Sequence, residues 1–120
     1  MNTLLWIIQG LLAGVFGYSG IMKSTQKRDK LVQIGQTGVA NLSYPVIRFI
    51  GILEILGAIS VVVPLATGIM PQLTAVSALG FTVIMIMAAP IHYKRHEYAA
   101  VAFNIFLLLA SLGVTIFRFA

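Results

Sequence analysis

Apolar side chains fall into four long stretches, residues 4–22, 46–63, 73–91 and 99–117, separated by short segments that hold nearly all the polar side chains. As α-helix each stretch extends roughly 27 to 29 Å, just enough to cross the hydrocarbon core of a bilayer. Residues 55–93 carry no charge at all, too long for one crossing, so they read as two spans joined by a turn. Pro45 suits the first turn of the second helix, and Pro64 falls where that helix stops or kinks. Thr67, Gly68 and Pro71 then form a tight connection. The pattern predicts an all-α fold, an integral membrane four-helix bundle spanning residues 1–120 as one transmembrane domain.

Composition narrows the class further. Only 9% of the residues are charged and 59% are hydrophobic, against about 25% charged in an ordinary soluble domain. A mean hydropathy of +0.98 leaves too little polar surface to cover a small soluble core. The first stretch does not read as a signal peptide, because residues 1–3 hold no basic side chain and the apolar run is too long. The segment between the first two spans is too long for a bare turn. With Ser24 and Thr25 as caps, Leu31, Val32 and Ile34 on one side and Gly35 and Gly38 at its end, it predicts a short interfacial helix.

The charges set an orientation. Lys23, Lys27, Arg28 and Lys30 lie in the first loop and Lys94 and Arg95 in the third, whereas the second loop has none. Four spans place both basic loops on one face. The positive-inside rule makes that face cytoplasmic, with both termini outside. Trp6 and the tyrosines 44, 93 and 98 fall at span ends, as interfacial aromatic belts do. A net charge of +5 carried in short loops beside apolar spans fits anionic lipid head groups, and not nucleic acid, as the partner.

With no cysteine, thiolate metal sites, disulfides and dithiol relays are excluded. His92 and His96 are four apart, but Lys94 and Arg95 between them repel a cation, so no metal site is expected. There is no phosphate-binding glycine loop, nucleophile elbow or metalloprotease helix. The residue that stands out is Glu54. It lies roughly 13 Å along the second helix, where an acidic side chain costs about 2.5 to 3.5 kcal/mol. It is therefore protonated, paired with a cation, or facing a wet cavity.

Arg48 is the nearest cation in sequence, but about 9 Å of rise and about 120° of rotation separate it from Glu54, so direct pairing is not expected and snorkelling to the interface is the simpler role. Gly51, Gly57 and Ala58 beside the two charges let another helix approach. Tyr18 and Ser19 in the first span, His92 in the third and Asn104 in the fourth lie at comparable depth. Facing inward, these six residues (Glu54, Arg48, Tyr18, Ser19, Asn104, His92) would form one ligand-binding polar cluster.

Several of these segments resemble the DoxX-like family of small four-helix membrane proteins. The resemblance rests on Phe16-Gly17-Tyr18-Ser19-Gly20-Ile21-Met22-Lys23, on the arginine, glycine, Leu-Glu and Gly-Ala of residues 48–58, on Thr67-Gly68-Ile69 with Pro71, and on His92 followed by Arg95, His96 and Glu97. It implies a four-helix bundle in the bacterial plasma membrane. The family is named for a subunit of an archaeal thiosulfate:quinone oxidoreductase, and related four-helix families use cysteine pairs that this chain lacks. Two readings follow. One is a non-enzymatic accessory or small-ligand-binding subunit with no cofactor. The other is a membrane subunit of a quinone-linked oxidoreductase complex, in which the pocket holds a quinone and Glu54 exchanges a proton with it. A homodimer or a redox partner protein is the protein partner such a subunit would have. A small transporter is less favoured, since four spans leave a narrow path.

Overall fold

The computed structural model describes residues 2–119. Its elements are α1 (Asn2–Thr25), α2 (Arg28–Gln33), a 3-10 turn (Thr37–Val39), α3 (Tyr44–Ser60), α4 (Val63–Thr67), α5 (Gln72–Lys94) and α6 (Tyr98–Phe119). Helices α1, α5 and α6 and the segment Tyr44–Thr67 are each long and apolar enough to span a membrane. The four pack into a bundle measuring 40 × 26 × 17 Å, an all-α integral membrane fold. Helix α1 lies along α3, and α5 along α6; the two pairs meet through α3 against α5 and α1 against α6. One end of the bundle carries α2, the 3-10 turn and the α5–α6 turn, and is called here the loop end. The other carries Asn2, Phe119 and the α4–α5 turn, the terminal end.

Large exposed side chains such as Ile7, Phe49, Leu56, Met87 and Leu109 form an apolar outer belt, as expected where lipid replaces water as the solvent. Inside, Leu12, Phe16, Val61, Phe81, Leu107 and Val114 make the main core. The rings of Phe16 and Phe81 stack face to face, 3.8 Å between centroids and 3° from parallel. Gly57 makes room for that stack, since a Cβ there would lie 2.6 Å from the Phe81 ring. The tightest contact is between α1 and α3. A Cβ on Gly20 would sit 2.6 Å from the Gly51 carbonyl, and one on Gly51 would sit 2.9 Å from that of Gly20. The two backbones touch, as small residues allow in membrane bundles.

Pro64 breaks the second span between α3 and α4. Its ring removes one helical N–H and crowds the preceding turn, so the Val61 carbonyl and the Leu65 N–H drop out of the helical ladder. Such groups are costly in an apolar medium, and both find side chains. Gln9 Nε2 donates to the Val61 carbonyl (2.8 Å), and Leu65 N–H donates to Thr74 Oγ1 (3.2 Å). Gln9 Oε1 in turn accepts from Arg118 Nε (2.8 Å), and Arg118 Nη1 donates to Asn2 Oδ1 (2.8 Å), with the guanidinium 5.3 Å from the Trp6 ring centroid. This terminal-end cluster ties α1, the α3–α4 break and α6 together.

The first loop forms the expected short helix, but not with the expected caps. Ser24 and Thr25 belong to the last turn of α1, where Thr25 Oγ1 donates to the Ile21 carbonyl; Lys27 occupies the N-cap position of α2. Gly35, at φ +99°, turns the chain just past α2. Leu31, Val39 and Ile47 make a small buried cluster that fastens the loop to the bundle.

Candidate functional site

The contact between Gly20 and Gly51 fixes what happens one turn away on each helix. Side chains of an α-helix lean toward its N-terminus. Lys23 on α1 therefore leans into the bundle, and Glu54 on the oppositely directed α3 leans toward the loop end. They meet: Lys23 Nζ lies 2.7 Å from Glu54 Oε1, with Glu54 1% exposed and Lys23 13%. Glu54 is thus both paired with a cation and turned to a cavity.

That cavity has a volume of about 700 Å³ and lies in the loop-end half of the bundle. Its inner wall is apolar, from Phe16, Met85 and Leu107, and its roof is the first loop from Ile34 to Leu42. Polar groups punctuate the wall at separate places. Ser19 Oγ accepts from Gln36 Nε2 (3.3 Å), which ties the loop to α1. Asn104 is 7% exposed, and its Nδ2 has no acceptor among the described residues. His92 reaches the cavity from α5.

His92 is held from behind. Its Nδ1 lies 3.0 Å from Glu97 Oε1, which also accepts from Thr37 Oγ1 (2.7 Å). A carboxylate on Nδ1 makes that nitrogen the donor and leaves Nε2 as the acceptor of the neutral ring. The hydrogen bonds from His92 and Thr37, with help from the nearby Arg95 charge, hold the Glu97 carboxyl below the ordinary glutamate value of 4.5. Arg95 Nε is 3.4 Å away. The Thr37 contact joins the roof to the α5–α6 turn, so this trio is a latch on the loop. His96 lies in that turn at φ +60° with its ring on Tyr98 Oη, away from His92.

Of the six residues singled out in sequence, Glu54, Ser19, His92 and Asn104 are buried and line the one cavity. Tyr18 stands at its rim, 57% exposed. Arg48 lies outside it. Its Nη1 donates to the carbonyls of Lys23 (2.7 Å) and Gln26 (2.6 Å), closing the C-terminal end of α1 beside the Tyr44 ring, 5.2 Å from its centroid. Lys23, read only as a loop charge, is the partner of Glu54. Of the other loop charges, Lys27, Lys30, Lys94 and Arg95 face outward. Arg28 is half-buried and donates to the Leu42 carbonyl through Nε (3.0 Å) and Nη2 (2.8 Å). Gln36, Thr37 and Glu97 were not anticipated at the site. The lean of helical side chains could have pointed to Lys23, whereas the other three depend on how the loop folds back.

Four membrane-spanning helices around a polar-studded loop-end cavity define a small multi-pass membrane protein. The chain belongs to the DoxX-like family, whose model matches residues 7–114. No curated protein and no solved structure matches the chain.

Proposed function

We propose that this protein is a non-enzymatic, small-ligand-binding subunit of the bacterial plasma membrane, with the loop-end cavity as its site. The observation that carries the reading is the buried Lys23–Glu54 pair on the wall of a 700 Å³ cavity. An ion pair in this setting costs desolvation and is weak evidence for stability alone, and intramembrane acids commonly mark ligand or proton sites. Glu54, Ser19, Asn104 and His92 are its ligand-facing residues, and Arg48 positions Lys23 by holding the end of α1. The positive-inside rule supports a cytoplasmic loop end and both termini outside, with Lys27, Lys30, Lys94 and Arg95 against anionic head groups. A cysteine placed at Lys27 should then be labelled from inside only; labelling from outside would overturn the orientation.

The test of the site is mass spectrometry of lipid extracts from gently purified protein. A stoichiometric small molecule is expected with the wild type and a reduced amount with Glu54→Gln. Its repeated absence from folded wild-type protein would count against the site. The quinone-linked reading draws support from one feature: two acid–base pairs adjoin the cavity, Lys23–Glu54 on its wall and His92 on its wall with Glu97 behind it. A quinone in the extract would favour it, together with a redox partner protein in the same complex.

A further inference from the structure

We infer that the ligand of this cavity is a neutral, lipid-soluble amphiphile whose head group is an uncharged oxygen function, such as an alcohol, ketone or ester, with that oxygen accepting from Asn104. The inference rests on the reading of the cavity as a ligand site and adds the chemistry of what enters it.

Three observations carry it. The first is charge. The charge-bearing groups on the wall are Lys23, Glu54 and His92, with the neutral Tyr18 phenol at the exposed rim. Lys23 and Glu54 are 2.7 Å apart and sum to zero, whether the proton sits on the amine or the carboxyl. His92 is engaged by the Glu97 carboxylate behind it. Every wall charge is already answered, so a carboxylate, phosphate or ammonium head group would bring an uncompensated charge into an apolar space, which is heavily penalised.

The second is an unspent hydrogen bond. Asn104 is more than nine-tenths buried, lines the cavity, and has an Nδ2 donor with no acceptor among the described residues. A buried donor left unmade is costly, and most such groups in native proteins are satisfied. A ligand oxygen would satisfy it.

The third is the entrance. The cavity is lined in part by Leu53, Met87 and Phe103, each between 45% and 68% exposed on the outer face of the bundle. That face is the lipid-covered belt, so the cavity opens toward the bilayer and admits molecules dissolved in it. An apolar tail can stay in the opening while the head reaches Asn104.

The test uses the full chain in phosphatidylcholine nanodiscs and a long-chain alcohol bearing a diazirine, photolysed and mapped by peptide mass spectrometry. Crosslinks are expected on cavity-lining peptides of α1, α5 and α6. Unlabelled dodecanol should compete about tenfold better than dodecane, and dodecanoate and dodecylamine should compete no better than dodecane. Asn104→Leu should bring dodecanol within about twofold of dodecane, with the fold checked by thermal melting. Dodecane matching dodecanol on the wild type, or a charged probe surpassing it, would overturn the inference and leave the cavity standing as a site. Labelling spread evenly over the outer belt without competition would overturn both.

Discussion

The bundle has polar clusters at both ends, built from similar side chains, and they have been put to different ends. At the terminal end Gln9, Arg118, Asn2 and Thr74 bond to one another and to the Val61 carbonyl and Leu65 N–H that Pro64 releases, with Arg118 Nη2 alone left without an acceptor among the described residues. They repair a broken helix. At the loop end Lys23, Glu54, Ser19, His92 and Asn104 stand around 700 Å³ of volume, and a buried amide donor is left over. A polar residue deep in a membrane helix therefore does not by itself mark a site. Residual bonding capacity facing empty space does.

The sharpest way to break this contrast is Lys23→Met, which leaves the Glu54 carboxyl without its cation. Removing one partner of a buried pair is strongly destabilising, and a loss of about 3 kcal/mol is expected in thermal or denaturant unfolding. Adding Glu54→Leu should recover most of it, because apolar replacements of a buried pair are often neutral. A double variant that remains as unstable as the single one would mean that the pair is structural.

Gln9→Leu makes the complementary change at the other end. It orphans the Val61 carbonyl and takes an acceptor from Arg118, at an expected cost of about 2 to 3 kcal/mol, with ligand content per folded protein unchanged. A fall in occupancy would show that the ends are coupled.

Gly51→Ala comes next. The new Cβ would meet Ser24 Oγ at 2.6 Å and the backbone of Gly20 and Ser24 at 2.9 Å. Prising α1 from α3 should cost about 1 to 3 kcal/mol and weaken the Lys23–Glu54 contact. Crosslinking between cysteines introduced on the two helices would reveal the separation.

The smallest effect belongs to the latch. Because folding holds Glu97 below its ordinary value, its contribution is present above pH 4.5 and fades as pH falls through the lower folded value. Protection factors in residues 34–40, corrected for the intrinsic pH dependence of amide exchange, should fall over that acidic window in the wild type. In Glu97→Gln they should already be low at neutral pH and change little on acidification.

The four spans were legible because a bilayer demands long apolar stretches, and little else satisfies that demand. The spans in the structure, with α3 and α4 counted together as Tyr44–Thr67, run one to four residues past each apolar stretch, since a helix continues through the polar head-group region where hydropathy no longer marks it. Pro64 announced the break, but its repair by Gln9 and Thr74 depends on which helices touch. Glu54 was visible from its depth alone. Its partner was not, because Lys23 looks like any loop cation until the Gly20–Gly51 contact brings α1 and α3 together. Arg48, close to Glu54 in sequence, turned out to hold the end of α1 for the same reason: rotation about the helix, and not proximity along it, decides what a side chain meets. The Thr37–Glu97–His92 latch joins segments about 60 residues apart, and no local pattern encodes it.

Under the proposed function the loop-end cavity holds a ligand, while the terminal-end cluster only holds the fold. Native mass spectrometry of the wild type, Gln9→Leu and Asn104→Leu, each released from nanodiscs, separates the two roles. One small-molecule adduct of the same mass is expected on the wild type and on folded Gln9→Leu, and about a tenth as much on folded Asn104→Leu. An undiminished adduct on Asn104→Leu, or none on any of the three, would overturn that division.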